Sequence, residues 1–166
     1  MNLQVFEDMR RIDLLKLAAS LGGCYLAAAI GSIFTIPNIP AWYASLARPD
    51  LAPPDWVFGP VWTALYTLMG ISAYLIWREG LADPRIKAAL GAFVLQLAVN
   101  VSWSAAFFGL RSPLAGLVVI LLLWALIGIT IKKFWEISRT AGALLIPYIL
   151  WVSFAAILNF EIWRLN

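Results

Sequence analysis

Histidine is absent and cysteine occurs once, at Cys24. Without histidine there is no imidazole general base, no histidine-held haem and no histidine-containing metal site. A lone thiol in the middle of an apolar segment excludes an intramolecular disulfide and reads as a small packing residue. Charge is scarce as well: 13% of residues are charged and 63% hydrophobic, against roughly 25% and 45–50% in soluble domains. Neither a glycine-rich phosphate loop nor the strand-like alternation of a membrane barrel appears. What is left is an all-α integral membrane protein.

A hydrocarbon core of about 30 Å asks for about 20 apolar residues per helix. Five segments qualify, at about 17–36, 57–77, 88–110, 114–131 and 143–163. Pro37 and Pro40, Asp83-Pro84, Arg111-Ser112-Pro113 and the stretch from Arg139 to Gly142 separate them, as breakers should. The expected fold is one domain over 1–166, a five-transmembrane-helix bundle, with a Pro/Trp-rich lid loop between helices 1 and 2. The first 16 residues, with Glu7, Asp8, Arg10, Arg11 and Asp13, read as a short amphipathic or frayed lead-in, and the first span reads as retained rather than cleaved.

Positive charge is lopsided. Arg10, Arg11, Lys16, Arg78, Arg85, Lys87, Lys132, Lys133 and Arg139 flank one side of the spans, and Arg48, Arg111 and Arg164 the other. The positive-inside rule then puts the N-terminus in the cytoplasm and the lid loop outside, as in a bacterial cell membrane. Net charge of +3 reports this topology, so no nucleic-acid partner is expected.

Nine tryptophans remain to be explained. Trp56, Trp77, Trp135 and Trp163 fall at or near span ends, where interfacial belts account for them. Trp124 lies mid-span with no polar neighbour on its own face, which reads as lipid contact or packing. Trp62, Trp103 and Trp151 differ, because each shares a face with polar or small residues at helical spacing. Trp62 pairs with Tyr66; Gln96, Asn100, Trp103 and Phe107 share one face; Trp151, Ala155, Leu158 and Asn159 share another. Amides are costly in lipid, so Gln96, Asn100 and Asn159 should point into the bundle and carry the aromatics inward. Spacing alone fits both an aromatic-lined cavity and plain interhelical glue.

The run Trp42-Tyr43, Arg48-Pro49, Pro53-Pro54, Phe58, Pro60, Trp62, Leu65-Tyr66 resembles the signature loop and second helix of the TspO/MBR family, which comprises bacterial tryptophan-rich sensory proteins and the mitochondrial translocator protein, or peripheral benzodiazepine receptor. Asn100, Trp103 and Phe107-Phe108 resemble its third-helix pattern, and Pro147-Tyr148, Trp151, Ala155 and Leu158 to Glu161 its fifth. The resemblance covers nearly the whole chain. Two positions depart from it: Arg48 stands where the family usually has Lys, and Leu51 where it usually has Trp. Leu158, Phe160 and Arg164 also lack the Tyr of the sterol-recognition pattern attributed to animal members.

The resemblance implies a pocket between the helices, capped by the first loop, that takes porphyrins (protoporphyrin IX or haem), haem-pathway intermediates and benzodiazepine-like ligands, with no cofactor required. The matching positions are Tyr43, Trp62, Tyr66, Asn100, Trp103, Trp151, Ala155 and Leu158, with Arg48 as the candidate cation for a propionate. The expected function is a receptor- or translocator-like role in tetrapyrrole sensing, regulation or transport. One alternative is a light- or oxidant-dependent porphyrin-degrading enzyme in which Trp62 and Trp151 pass through radical states, and another is a membrane assembly protein. Against an active pump, the spans hold no chain of ionisable groups, and Glu161 with Arg164 reads as an interfacial pair. Two small-residue stripes allow close helix contact: Gly23, Ala27 and Gly31, expected inside the bundle, and Ala98, Ser102 and Ala106, expected in the homodimer interface that the resemblance suggests.

Overall fold

The computed structural model describes residues 3–166, with side chains from Arg10 onward. Its helices are α1 (Leu3–Thr35), α2 (Phe58–Trp77), α3 (Pro84–Ser104), α4 (Pro113–Ile137), α5 (Arg139–Leu144) and α6 (Ile146–Leu165), and no strand occurs among the described residues. Five stretches are long and apolar enough to cross a membrane: Arg10–Tyr43, Asp55–Trp77, Pro84–Gly109, Pro113–Ile137 and Arg139–Leu165. The chain is a multi-pass integral membrane protein.

Local chemistry sets the ends of these helices. Asp83 caps α3 by accepting from the Arg85 N–H, and Pro84 fills the first helical position, where a missing N–H costs nothing. Ser112 with Pro113 repeats the device at α4, and Ser138 both closes α4 and caps α5. The third span therefore begins earlier than apolarity alone implies, at Pro84 instead of 88. Apolarity also ends α4 at 131, but the helix continues through Lys132 and Lys133 to Ile137, because long basic side chains reach the interface from a helix end. The N-terminal lead-in is likewise no separate segment, since α1 runs unbroken from Leu3. Conversely, the fifth span is two helices: Pro147 has no N–H for the Ala143 carbonyl, and the chain breaks at Leu145.

Two spans change pitch at their lid-side ends. Past Thr35, where Pro37 and Pro40 remove two donors, the chain tightens into a 3₁₀ turn at Ile36–Asn38 and widens into a π turn at Ile39–Tyr43. α3 ends in another π turn at Ala105–Gly109. Arg111 follows in the left-handed region at φ 51°, with its Nε donating to Asn38 Oδ1 at 3.0 Å.

The helices form a ring. α1 packs on α2 and α3, α4 packs on α3 and α6, and α2 closes the circle against α5 and α6. α1 and α2 come into close contact where Gly70 meets Leu21: a Cβ on Gly70 would lie 2.9 Å from the Leu21 Cα. Met69, Ile76, Phe93, Ile127, Phe134 and Tyr148 belong to one buried core, with Phe93 and Phe134 stacked at 5.8 Å. Lipid is as apolar as leucine, so this core contributes dispersion and fit more than transfer from water. Exposed Val118, Leu121, Leu122 and Leu150 are accordingly in a suitable solvent.

Both small-residue stripes are shifted from their expected positions. In α1, Ala27 and Gly31 face inward, Gly31 against Ser104, while Gly23 is exposed and Cys24 takes its place in the core. In α3, Ala98 and Ser102 are exposed but Ala106 is buried; Gly91 is exposed with open space at its Cβ position, whereas Gly109 faces Phe34 of α1. The π turn moves the helical phase at that end. Trp124, exposed to lipid at 46%, does have a polar partner: its N–H donates to Ser153 Oγ on α6 at 2.8 Å. Glu161 pairs with Arg164.

Candidate ligand cavity

Between α1, α2, α3 and α6, in the lid-side half of the bundle, lies a cavity of about 440 Å³. Tyr43, Trp62, Tyr66, Asn100, Trp103, Ala155 and Leu158 all line it. They come from the lid and three helices, so only the tertiary structure brings them together.

Aromatic packing shapes the walls. Trp103 stacks on Phe107 at 5.4 Å and 22°, and Phe108 meets both edge-on. The π turn allows consecutive Phe107 and Phe108 both to be buried, and Trp42 and Tyr43 of the lid pack against this pair. Trp62 lies 5.5 Å from Tyr66 on its own helix and 6.4 Å from Tyr148. Such tilted and edge-to-face contacts each add about 0.5–1.5 kcal/mol beyond burial, which stiffens the wall before any ligand arrives.

A line of hydrogen bonds forms the floor. The Tyr66 hydroxyl donates to Asn100 Oδ1 at 2.6 Å, the Asn100 amide donates to the Tyr148 hydroxyl at 2.9 Å, and Tyr148 donates to Gln96 Oε1 at 3.0 Å. This line joins α2, α3 and α6. Gln96 Nε2 is buried without a hydrogen-bond partner. A second amide, Asn159, accepts from the Trp103 N–H at 3.1 Å and donates to the Pro113 carbonyl at 2.7 Å. Asn159 thus fixes the plane of the Trp103 ring from α6. Amides placed inward by the cost of exposing them to lipid act here both as glue and, for Asn100 and Asn159, as cavity lining.

Two of the sequence-derived residues sit elsewhere. Trp151 packs against Phe58 at 5.9 Å and Phe154 at 5.5 Å, with its N–H buried and unpartnered. It lies behind Phe58, which lines the cavity in its stead. Arg48 lies in the lid, where its guanidinium pairs with Asp55 at 2.9 Å and covers the Tyr43 ring at 5.5 Å. It borders the cavity through those two neighbours, both of which line it.

The wall from α1 was not anticipated. Tyr25, Ala28, Ser32 and Thr35 line the cavity at spacings of three and four, and this polar stripe through an apolar helix was the available signal. Ser104, Phe107, Phe108, Asn159 and Ile162 complete the lining from α3, its π turn and α6. The lid is held from below by Asn166, whose side chain accepts from the Ala47 N–H at 3.0 Å and donates to the Ala47 carbonyl at 3.1 Å.

Comparison with known proteins agrees with this architecture. A family model described as TspO/MBR family matches residues 20–164. The chain is 44% identical to the tryptophan-rich protein TspO of Chlorobaculum tepidum over 155 residues, which is 93% of this chain and 98% of that protein. It is 40% identical to the human translocator protein over 151 residues, covering 90% of this chain and 86% of that one. The tryptophan-rich sensory protein of Cereibacter sphaeroides is 35% identical over 147 residues, 88% of each chain.

Proposed function

The chain belongs to the TspO/MBR family, and from that premise we propose that it is a membrane receptor or translocator-like protein that binds porphyrins and related flat hydrophobic ligands in the cavity. One observation carries this reading: rings of Tyr43, Trp62, Trp103 and Phe107 wall a single space whose floor is the Tyr66–Asn100 hydrogen bond. A large π-system gains by stacking on such rings, and a polar floor orients its edge. The volume of about 440 Å³ falls within the range of roughly 300–1,000 Å³ usual for small-molecule sites. Propionates would meet Arg48, already turned toward the cavity rim by Asp55.

Names of the relatives support a sensing or translocating role, and the protein would act in tetrapyrrole sensing, regulation or transport. Degradation of the porphyrin by a pair of tryptophan radicals is less well supported, because Trp62 borders the cavity while Trp151 stands behind Phe58. The exposed stripe of Gly91, Ala98 and Ser102 on α3 suits close contact with a second copy in a homodimer. The uneven Lys and Arg distribution favours a cytoplasmic N-terminus in a bacterial cell membrane.

Titration of the purified protein with protoporphyrin IX in the dark, followed by Trp emission, tests the reading. Saturable quenching that weakens in Trp103→Phe and Asn100→Ala, and is little affected in Trp151→Phe, is expected. Quenching that is unsaturable, or identical in all variants, would refute it.

A further inference from the structure

Beside α1 and α2 the cavity lining reaches the outer surface of the bundle. α1 and α2 are in close contact at Leu21 and Gly70, where a Gly70 Cβ would lie 2.9 Å from the Leu21 Cα. One turn above the crossing, the Tyr25 hydroxyl lies 2.7 Å from Thr67 Oγ1. The Thr67 proton is given to the Thr63 carbonyl at 2.8 Å, so Tyr25 is the donor. Thr63 and Gly59 on α2, and Ile36 in the 3₁₀ turn just past α1, line the cavity and are also exposed on the outside of the bundle. Nothing lies within 4 Å of the position a Gly59 Cβ would occupy.

Position along the spans gives this opening its meaning. Tyr25 lies about 15 Å below Thr35 at the helical rise of roughly 1.5 Å per residue. That depth is about half of a hydrocarbon core roughly 30 Å thick. The gap therefore runs from the lid down to mid-membrane, with the Tyr25–Thr67 hydrogen bond as its lower sill. An apolar space that opens at that depth faces acyl chains and not water.

We infer that the gap between α1 and α2 is a lateral mouth through which a phospholipid acyl chain enters and fills the cavity, and that hydrophobic ligands exchange with that chain sideways from the bilayer. This deepens the binding function proposed above, and depends on it only for the identity of the exchanging ligand. Lid closure and ligand entry are then separate matters. The lid can stay pinned by Asn166 and by the Arg48–Asp55 pair while the site exchanges its contents.

The test uses the full-length protein in nanodiscs of phosphatidylcholine containing a fraction of lipid with a photoactivatable diazirine on one acyl chain, with adducts mapped by peptide mass spectrometry. Asn100 and Phe107 are 3% and 2% exposed, so a chain reaches them only through the cavity. Val118, Leu121 and Leu122 on the outer face of α4 provide the internal control. Adducts are expected on peptides carrying Asn100 and Phe107 as well as on α4. Gly59→Leu, whose side chain projects into open space, is expected to reduce the cavity adducts severalfold and leave the α4 adducts unchanged, and Thr63→Trp is expected to do the same. Labelling of α4 with none in the cavity, or cavity labelling indifferent to both substitutions, would overturn the inference. Added protoporphyrin IX should compete with the cavity adducts. If it does not while Gly59→Leu still does, the mouth stands and the porphyrin assignment fails.

Discussion

Gly116 touches no ligand-facing surface, yet replacing it with alanine should deform the cavity. A Cβ at this position in α4 would lie 2.7 Å from Phe107 Cδ2, 2.9 Å from Phe107 Cβ and 2.9 Å from Asn159 Oδ1. These are not flexible ends of long side chains. Phe107 is stacked under Trp103, and Asn159 holds the Trp103 N–H on one side and the Pro113 carbonyl on the other. Overpacking of this kind costs about 1–3 kcal/mol. Weakening the two Asn159 hydrogen bonds adds about 0.6 kcal/mol each, typical for interhelical bonds in membranes. Alanine returns about 1 kcal/mol through helix propensity. The net expectation is a destabilisation of about 1–3 kcal/mol, together with weaker ligand binding as the Trp103 ring turns. Gly128 lies on the same helix with nothing within 4 Å of its Cβ position, so Gly128→Ala should be neutral or mildly stabilising. Thermal unfolding of both variants in detergent, followed by protoporphyrin IX titration, provides the measurement. If Gly116→Ala is as stable as Gly128→Ala and binds ligand normally, the proposed coupling from α4 through Asn159 to Trp103 is wrong.

Asn100→Leu removes the link between Tyr66 and Tyr148 and should cost about 1–3 kcal/mol, from two bonds of about 0.6–1.7 kcal/mol each; a double-mutant cycle with Tyr66→Phe should show the two losses overlapping, and strict additivity would count against the network. Asn166→Ala should leave the helices intact but release the lid at Ala47, seen as faster limited proteolysis between residues 47 and 52, whereas unchanged cleavage would mean that the proline-rich loop holds itself. The Arg85 guanidinium and backbone N–H keep the Asp83 carboxyl below the usual carboxylate range. Because the folded pKa is depressed, this contribution is present above the unfolded value and lost as pH falls through the folded one. Asp83→Ala should accordingly lower the melting temperature at neutral pH and have little effect in strong acid; an equal effect at both would refute the ionic part of the cap.

Composition and breaker residues determined the class of this protein. Scarce charge, five apolar runs and prolines at their edges leave little besides a helical membrane bundle, because every backbone amide in lipid must be satisfied within its own segment. Helix ends were less legible, since Asp83, Ser112 and Ser138 fix them by capping while lysines extend α4 past its apolar stretch. The inward faces of α2 and α3 could be read from periodicity, as amides and aromatics share them for the same reason, the cost of a polar group in hydrocarbon.

Which residues meet across helices had to come from the tertiary structure. Trp151 and Ala155 share a face four residues apart, yet only Ala155 reaches the cavity while Phe58 comes between it and Trp151. Periodicity gives a direction from one helix axis and carries no information about the neighbour that intervenes. The same limit hid the Trp124–Ser153 bond, the grip of Asn166 on Ala47 and the α1 wall, each of which joins distant parts of the chain. The opening between α1 and α2 is more distant still from any single residue. Gly70 lets Leu21 approach closely, while a Gly59 Cβ would meet nothing within 4 Å, and how two helices cross is a property of two packed surfaces.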